Sequence, residues 1–275
     1  MLVGCHVSIA GGIVNAPQRA ADFGCEAMQI FTRSPQGGKT PELTEEICEK
    51  FKQLNLEYAI KTVVVHSPYY INLASSNNRI RYGSVSAIRE ELERASAIGA
   101  EYVMTHLGSA KDMGKEEALK KVCEMLEKSL EGYEGSAKLL LENSAGAGEI
   151  IGDDFSEISQ ILKCVKSEAI AGICIDTQHS FASGYDWSDF EKTLEKIDKE
   201  IGIGNIKLIH ANDSLTELAS KKDRHEHIGK GLIGEEAFAN IVRFAKENDI
   251  DMICETEYDF VKEDIELLKT LRDKK

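Results

Sequence analysis

The stretch Asp223-Arg224-His225-Glu226-His227 places a carboxylate and two imidazoles at alternate positions, inside a run of basic residues and glycines. In an extended segment, alternate residues point to one side, so 223, 225 and 227 could serve one cation. Spacing alone leaves His225 and His227 equal candidates. Similar groups recur along the chain, each at the end of a short apolar run. They are His66, His106, Glu142, Asp176 with His179 three residues on, His210 and Glu255. With Asp223 and His225 they make nine candidate ligands, including five of the seven histidines. A lone His at such a place is more often a hydrogen-bonded structural residue. A lone carboxylate there is less easily dismissed, because a buried unpaired charge is costly and calls for a cation or strong donors. Imidazole and carboxylate without thiolate suit Zn2+, with Mn2+ or Fe2+ compatible at some positions. Nine ligands exceed what one tetrahedral ion takes, so two or three ions sharing a carboxylate are expected. Ions about 3.5–4 Å apart can activate water and clamp both oxygens of a phosphoryl displacement.

Positioning these groups together is a task for the elements around them. Short β-branched runs occur at 2–8, 27–32, 62–67, 102–108, 138–144, 172–177, 206–213 and 251–257. Helical patterns lie between them, among them 45–58, 84–100, 115–131 and 234–249. Continuous apolar strands alternating with amphipathic helices indicate parallel strands buried on both faces. Eight such units predict an α/β fold, a single (β/α)8 or TIM barrel spanning residues 1–275 as one domain. The active site then lies at the C-terminal rim of the strands, where the nine candidates converge. A doubly wound sheet is the alternative, but no G-x-G-x-x-G follows the first strand.

The formal net charge of −14 argues against a generally basic nucleic-acid-binding surface and leaves room only for a focused one. There is no apolar run long enough to span a bilayer and no basic leader with an apolar core, so a cytoplasmic protein is expected. The seven cysteines are scattered, without a C-x-x-C pair, and are expected to be free buried thiols in a reducing compartment. Nothing suggests an oligomer interface, so a monomer is the expectation.

The motifs resemble the endonuclease IV family along essentially the whole chain. They are GCHVSIAGG, FTRSP, HSPYYINLAS, LLLENSAGAGEIIG, ICIDTQHSFASGYD, HANDSLTELASKKDRHEHIGKGLIGEEAF and ICETE. The resemblance implies an abasic-site DNA repair endonuclease with three zinc ions. His66, His106 and Glu142 would hold one ion. Glu142, as a bridge, would hold the second with Asp176, His210 and Glu255. His179, Asp223 and His225 would hold the third. The implied reaction cuts the phosphodiester 5′ of an abasic site in duplex DNA by a zinc-activated hydroxide. It leaves a 3′-hydroxyl and a 5′-deoxyribose phosphate, with Glu142 as the catalytic candidate. Three divalent ions would offset six of the fourteen net negative charges, inside the cleft where phosphate must go. The competing assignment is a metal-dependent sugar isomerase or epimerase. It would use Glu142, Asp176, His210 and Glu255 and have no need of the other five.

DNA contacts are expected from Arg33, Gln36, Tyr69, Tyr70 and Arg224, with Lys39, Arg79, Lys221, Lys222 and Lys230 nearby on the rim loops. Tyr69 matches the family's stacking aromatic. Three positions where the family often carries Asn, Arg and Trp are Ser34, Gln36 and Gly38 here, so Gln36 is a weaker wedge into the DNA stack. Glu257 stands where the family commonly has Pro, and Leu107 follows His106 where Pro is usual. In the opening stretch the resemblance selects Asp223 and His225 as ligands. It leaves His227 to support them or to touch a phosphate. Accordingly His225→Ala is expected to lower the metal content of the dialysed protein far more than His227→Ala. Equal losses would return the two histidines to parity.

Overall fold

The structure, a computed structural model, describes residues 1–274. Its strands are β1 (Val3–His6), β2 (Ala27–Ile30), β3 (Thr62–His66), β4 (Tyr102–Thr105), β5 (Lys138–Glu142), β6 (Ile170–Asp176), β7 (Ile206–His210) and, after a two-residue ribbon of β8 (Asp213–Ser214) and β9 (His225–Glu226), β10 (Asp251–Cys254). The eight long strands close in the order β1-β10-β7-β6-β5-β4-β3-β2, every pair parallel. The helices are α1 (Ala16–Asp22), α2 (Glu45–Glu57), α3 (Asn78–Ile98), α4 (Lys115–Leu130), α5 (Phe155–Cys164), α6 (Thr177–Ala182), α7 (Phe190–Ile201), α8 (Glu235–Glu247) and α9 (Val261–Asp273). This is the expected (β/α)8 barrel. No helix among the described residues is long and apolar enough to cross a membrane.

Alternation along the strands sorts the side chains into two cores. Outward residues such as Val63, Val65, Leu139, Leu141, Ile173 and Ile209 meet the helices in the larger one. The smaller one fills the barrel with Ala27, Val64, Met104, Leu140, Cys174, Leu208 and Ile253, one from each of seven strands. Gly4 of β1 is paired with both Ala27 and Ile253 and completes the layer. It has no room for a side chain, since a Cβ there would overlap the Ala27 carbonyl oxygen.

Two expectations need correction. Helix α3 begins at Asn78 rather than at 84, because Asn77 caps it by accepting from Arg79 N at 2.9 Å. Its first turns expose Ile80 and Tyr82, so no buried stripe marks them in the sequence. The cysteines are not all free, since Cys123 and Cys164 form a disulfide. Neighbouring α4 and α5 bring their Cα atoms to 6.2 Å, inside the bridging range. The other five cysteines are free and buried.

The loop after β7 carries Asp223 and His225, and Asp213 holds it in shape. This carboxylate is completely buried. It accepts from five backbone N–H groups: Ser214 at 2.7 Å, Gly229 at 2.9 Å, Gly231 at 3.1 Å, Ile233 at 2.8 Å and Gly234 at 3.2 Å. Peptide dipoles thus take the place of a countercharge, and both ends of the loop are tied to one group. A Cβ on Gly231 would lie 2.5 Å from Asp213 Oδ1 and from the Ser214 carbonyl oxygen. Gly231→Ala is therefore expected to destabilise the protein by about 1–3 kcal/mol, as overpacking does, read as a lowered urea midpoint. An unchanged midpoint would mean that the loop is not clamped.

Candidate metal centre

Two residues beyond the apolar layer, each strand end presents a polar group to the same end of the barrel. The series is His6, Gln29, His66, His106, Glu142, Asp176, His210 and Glu255. A step of two keeps the inward direction, so one alternation sets the apolar plug and the polar ring above it. His6 and Gln29 belong to this ring and were missed as site residues. The same step of two from Gly4 and Ala27 was available to find them.

Six of the nine predicted ligands are in the ring, and the other three close over it. Asp176 ends β6 and caps α6, accepting from His179 N at 2.8 Å, which brings the His179 ring back over the strand ends. His179 Nε2 lies 3.4 Å from Asp223 Oδ2, and His225 Nε2 lies 3.3 Å from Asp223 Oδ1. Glu142, completely buried, joins the groups. Its Oε1 is 2.8 Å from His210 Nδ1 and 3.6 Å from His179 Nδ1, while Oε2 is 3.2 Å from His106 Nε2. Glu255 Oε2 approaches His210 Nδ1 at 3.3 Å, and Glu255 Oε1 lies 3.9 Å from His66 Nε2.

Four sets have one donor atom each within 4.8 Å of the others: His66, His106 and Glu142; Glu142, Cys174 and His210; Glu142, Asp176, His210 and Glu255; and Asp176, His179 and His225. Several donors have no other use. Glu142 Oε2 and His225 Nε2 are buried without a hydrogen-bond partner among the described residues, despite the imidazole and carboxylate atoms close by. Close approach without hydrogen-bond geometry is what atoms aimed at a common ion show. Three imidazoles are also oriented from behind. His66 Nδ1 meets the Ser67 carbonyl at 2.6 Å, His179 Nδ1 the Asn143 carbonyl at 3.1 Å, and His225 Nδ1 the Glu255 carbonyl at 3.4 Å. A carbonyl accepts only, so each leaves Nε2 for the cleft. The residues present therefore fit divalent metal ions.

The electrostatics agree. Burial works against ionised Glu142, but His106 and His210 outweigh it and hold its carboxyl well below the usual range. Burial likewise opposes ionised Glu255, yet His210 and His66 bring it down to about 2. Burial would keep His179 neutral, but Asp176, Asp223 and Glu142 push it up to about 10. His66, where burial dominates, falls to about 4. Glu142 and Glu255 remain charged and draw positive charge into the centre.

A cavity of about 370 Å³ opens over the ring, lined also by Phe31, Tyr69 and Tyr258. Tyr69 is 63% exposed, its ring standing edge-on to Phe31 and His66 with centroids 5.3 and 5.4 Å away. Tyr70, Gln36 and Arg224 are exposed on the loops, as are Lys221 and Lys222. Arg33 corrects an expectation. It is buried, pairs with Glu91, and gives Nη1 to Glu90 at 2.9 Å, so its charge is spent inside the protein and not offered to DNA. His227 is turned away from the ring, with Nδ1 2.7 Å from Asp264 Oδ2 and Nε2 3.3 Å from Asp259 Oδ1.

Known proteins resemble this chain along its length. The family model described as a xylose isomerase-like TIM barrel matches residues 17–271. A protein of Halothermothrix orenii named "Probable endonuclease 4" is 39% identical, over 99% of both chains. Its namesake in Cenarchaeum symbiosum is 36% identical, again over 99% of both. The crystal structure of endonuclease IV from Thermus thermophilus superposes with a TM-score of 0.86 at 31% identity, covering 99% of this chain and 98% of that one. A D-tagatose 3-epimerase-like protein shares the fold, with a TM-score of 0.75 at 24% identity, covering 98% of this chain and 97% of that one. Within the xylose isomerase-like TIM barrels, the chain belongs to the endonuclease IV family.

Proposed function

We propose that this protein is a DNA repair endonuclease that hydrolyses the phosphodiester 5′ of an abasic site, leaving a 3′-hydroxyl and a 5′-deoxyribose phosphate. One observation carries the reading. His66, His106, His179, Asp223 and His225 converge on the same cleft as Glu142, Asp176, His210 and Glu255. A sugar isomerase or epimerase needs only the last four. The relatives' shared name, "Probable endonuclease 4", points the same way.

Three ions, zinc by the donor chemistry, would be held by His66, His106 and Glu142; by Glu142, Asp176, His210 and Glu255; and by His179, Asp223 and His225. Asp176 is also in reach of the third set. Bound there, the ions would supply a water deprotonated near neutral pH and positive charge for the phosphoryl oxygens. The chain's own groups do the rest. Glu142 directs its two oxygens to different imidazoles, as a bridging ligand must, and stays ionised throughout. That makes it an orienting group for the attacking water more than a free base. Tyr69 offers an exposed ring at the mouth for a sugar or base displaced from the stack. Lys221, Lys222 and Arg224 stand outside it, where the backbone phosphates would run.

Two measurements test this reading. The zinc-loaded protein is expected to nick a duplex oligonucleotide bearing one abasic-site analogue, to leave the undamaged duplex intact, and to lose activity with chelator. An uncut abasic strand, or equal cutting of the control, would overturn the assignment. A metal content near one per chain would favour the isomerase. Glu142→Gln removes the charge shared by two ion sites and is expected to lower kcat by at least about 100-fold. Undiminished cleavage would remove Glu142 from the chemistry.

A further inference from the structure

Gln29 is an uncharged residue in a ring otherwise made of imidazoles and carboxylates, and it is completely buried. Its amide touches three ring members. Nε2 is 2.6 Å from Glu255 Oε1 and 3.1 Å from His6 Nδ1, and Oε1 is 2.8 Å from His210 Nε2. These contacts determine which end of the amide is which. A carboxylate oxygen only accepts, so the atom facing Glu255 is the NH2 group. The atom facing His210 is then the carbonyl oxygen, which also only accepts. His210 Nε2 must therefore carry a hydrogen. Nδ1, 2.8 Å from the Glu142 carboxylate, is then the nitrogen that gives up its hydrogen when a cation binds, and Nε2–H is the one that remains. Nδ1 is the atom turned towards Glu142 Oε1 and Glu255 Oε2.

The other imidazoles make this arrangement stand out. His66, His179 and His225 are set by a backbone carbonyl behind Nδ1 and present Nε2 to the cleft. His210 is reversed, and a side chain from β2 supplies the carbonyl. We infer that Gln29 is the positioning residue of the second ion site, holding His210 with Nδ1 towards the ion and tying Glu255 Oε1 so that Oε2 stays available. This rests on the reading of His210 and Glu255 as metal ligands. An amide suits the place because it accepts from one ligand and donates to the other. A carboxylate would add a like charge beside Glu255, and an apolar side chain would leave His210 Nε2–H buried and unpartnered.

The test uses the full-length zinc-loaded protein. Long-range 1H–15N NMR of the histidine side chains is expected to show His210 protonated at Nε2 and bound through Nδ1, the reverse of His66. A His210 bound through Nε2 would overturn the inference without any variant being made. Gln29→Met keeps the length and removes both polar ends. It is expected to weaken one zinc per chain by about 10- to 100-fold in chelator competition, within the range for residues that support a ligand. Its kcat on abasic duplex should fall while KM holds. Gln29→Glu keeps an acceptor for His210 but puts charge against Glu255, and is expected to weaken that zinc at least as much. Wild-type zinc affinity in both variants would also overturn it. Should the wild type bind three zinc ions yet leave abasic DNA uncut, the nuclease reading fails, while the tautomer and zinc measurements still judge Gln29.

Discussion

Glu142 keeps its charge with no exposure to water, directly above an apolar layer of the barrel interior. A charge so placed needs positive partners on several sides, and the strand ends supply them. His106 and His210 face its two oxygens, with His179 descending from α6. The same alternation that turns Leu140 into the core turns Glu142 into the ring. Closing the barrel therefore assembles the centre, and no separate folding event is required for six of the nine candidate ligands. The other three depend on two capping devices. Asp176 begins α6, and Asp213 gathers the loop after β7 on its peptide N–H groups.

The charge distribution makes sense of a strongly acidic protein in a DNA-cleaving family. The net charge of −14 would repel a duplex from most of the surface. The centre concentrates carboxylates suited to bind cations, so an attractive field for phosphate would lie where the ions would sit. Around the mouth, exposed lysines and Arg224 sit on the loop after β7, whereas Arg33 near β2 is committed to Glu90 and Glu91.

Much of this was readable beforehand, for physical reasons that differ by element. The barrel was legible because parallel strands buried on both faces must be apolar along their length, as in TVVVH and KLLLE. The residues that converge at the strand ends were legible because a His or carboxylate after such a run is chemically out of place. Gln29 was not, since an amide inside AMQI carries no charge to draw notice, and His6 lay in a first strand that had supplied no other candidate. Arg33 was misjudged because its partners sit on α3, far along the chain. The Cys123–Cys164 pairing was hidden too, because it depends on which helices lie side by side.

That disulfide bears on the ensemble from which the protein folds. It closes a loop of 41 residues, and the loop contains all of β5 with Glu142 at its end. In the oxidised unfolded chain this segment has already lost part of its conformational freedom. On the loop-closure account the loss is worth about 3–5 kcal/mol. The saving falls on the strand that carries the most deeply charged residue of the centre. Entropy removed from the disordered chain would thus help to offset the cost of taking a carboxylate out of water.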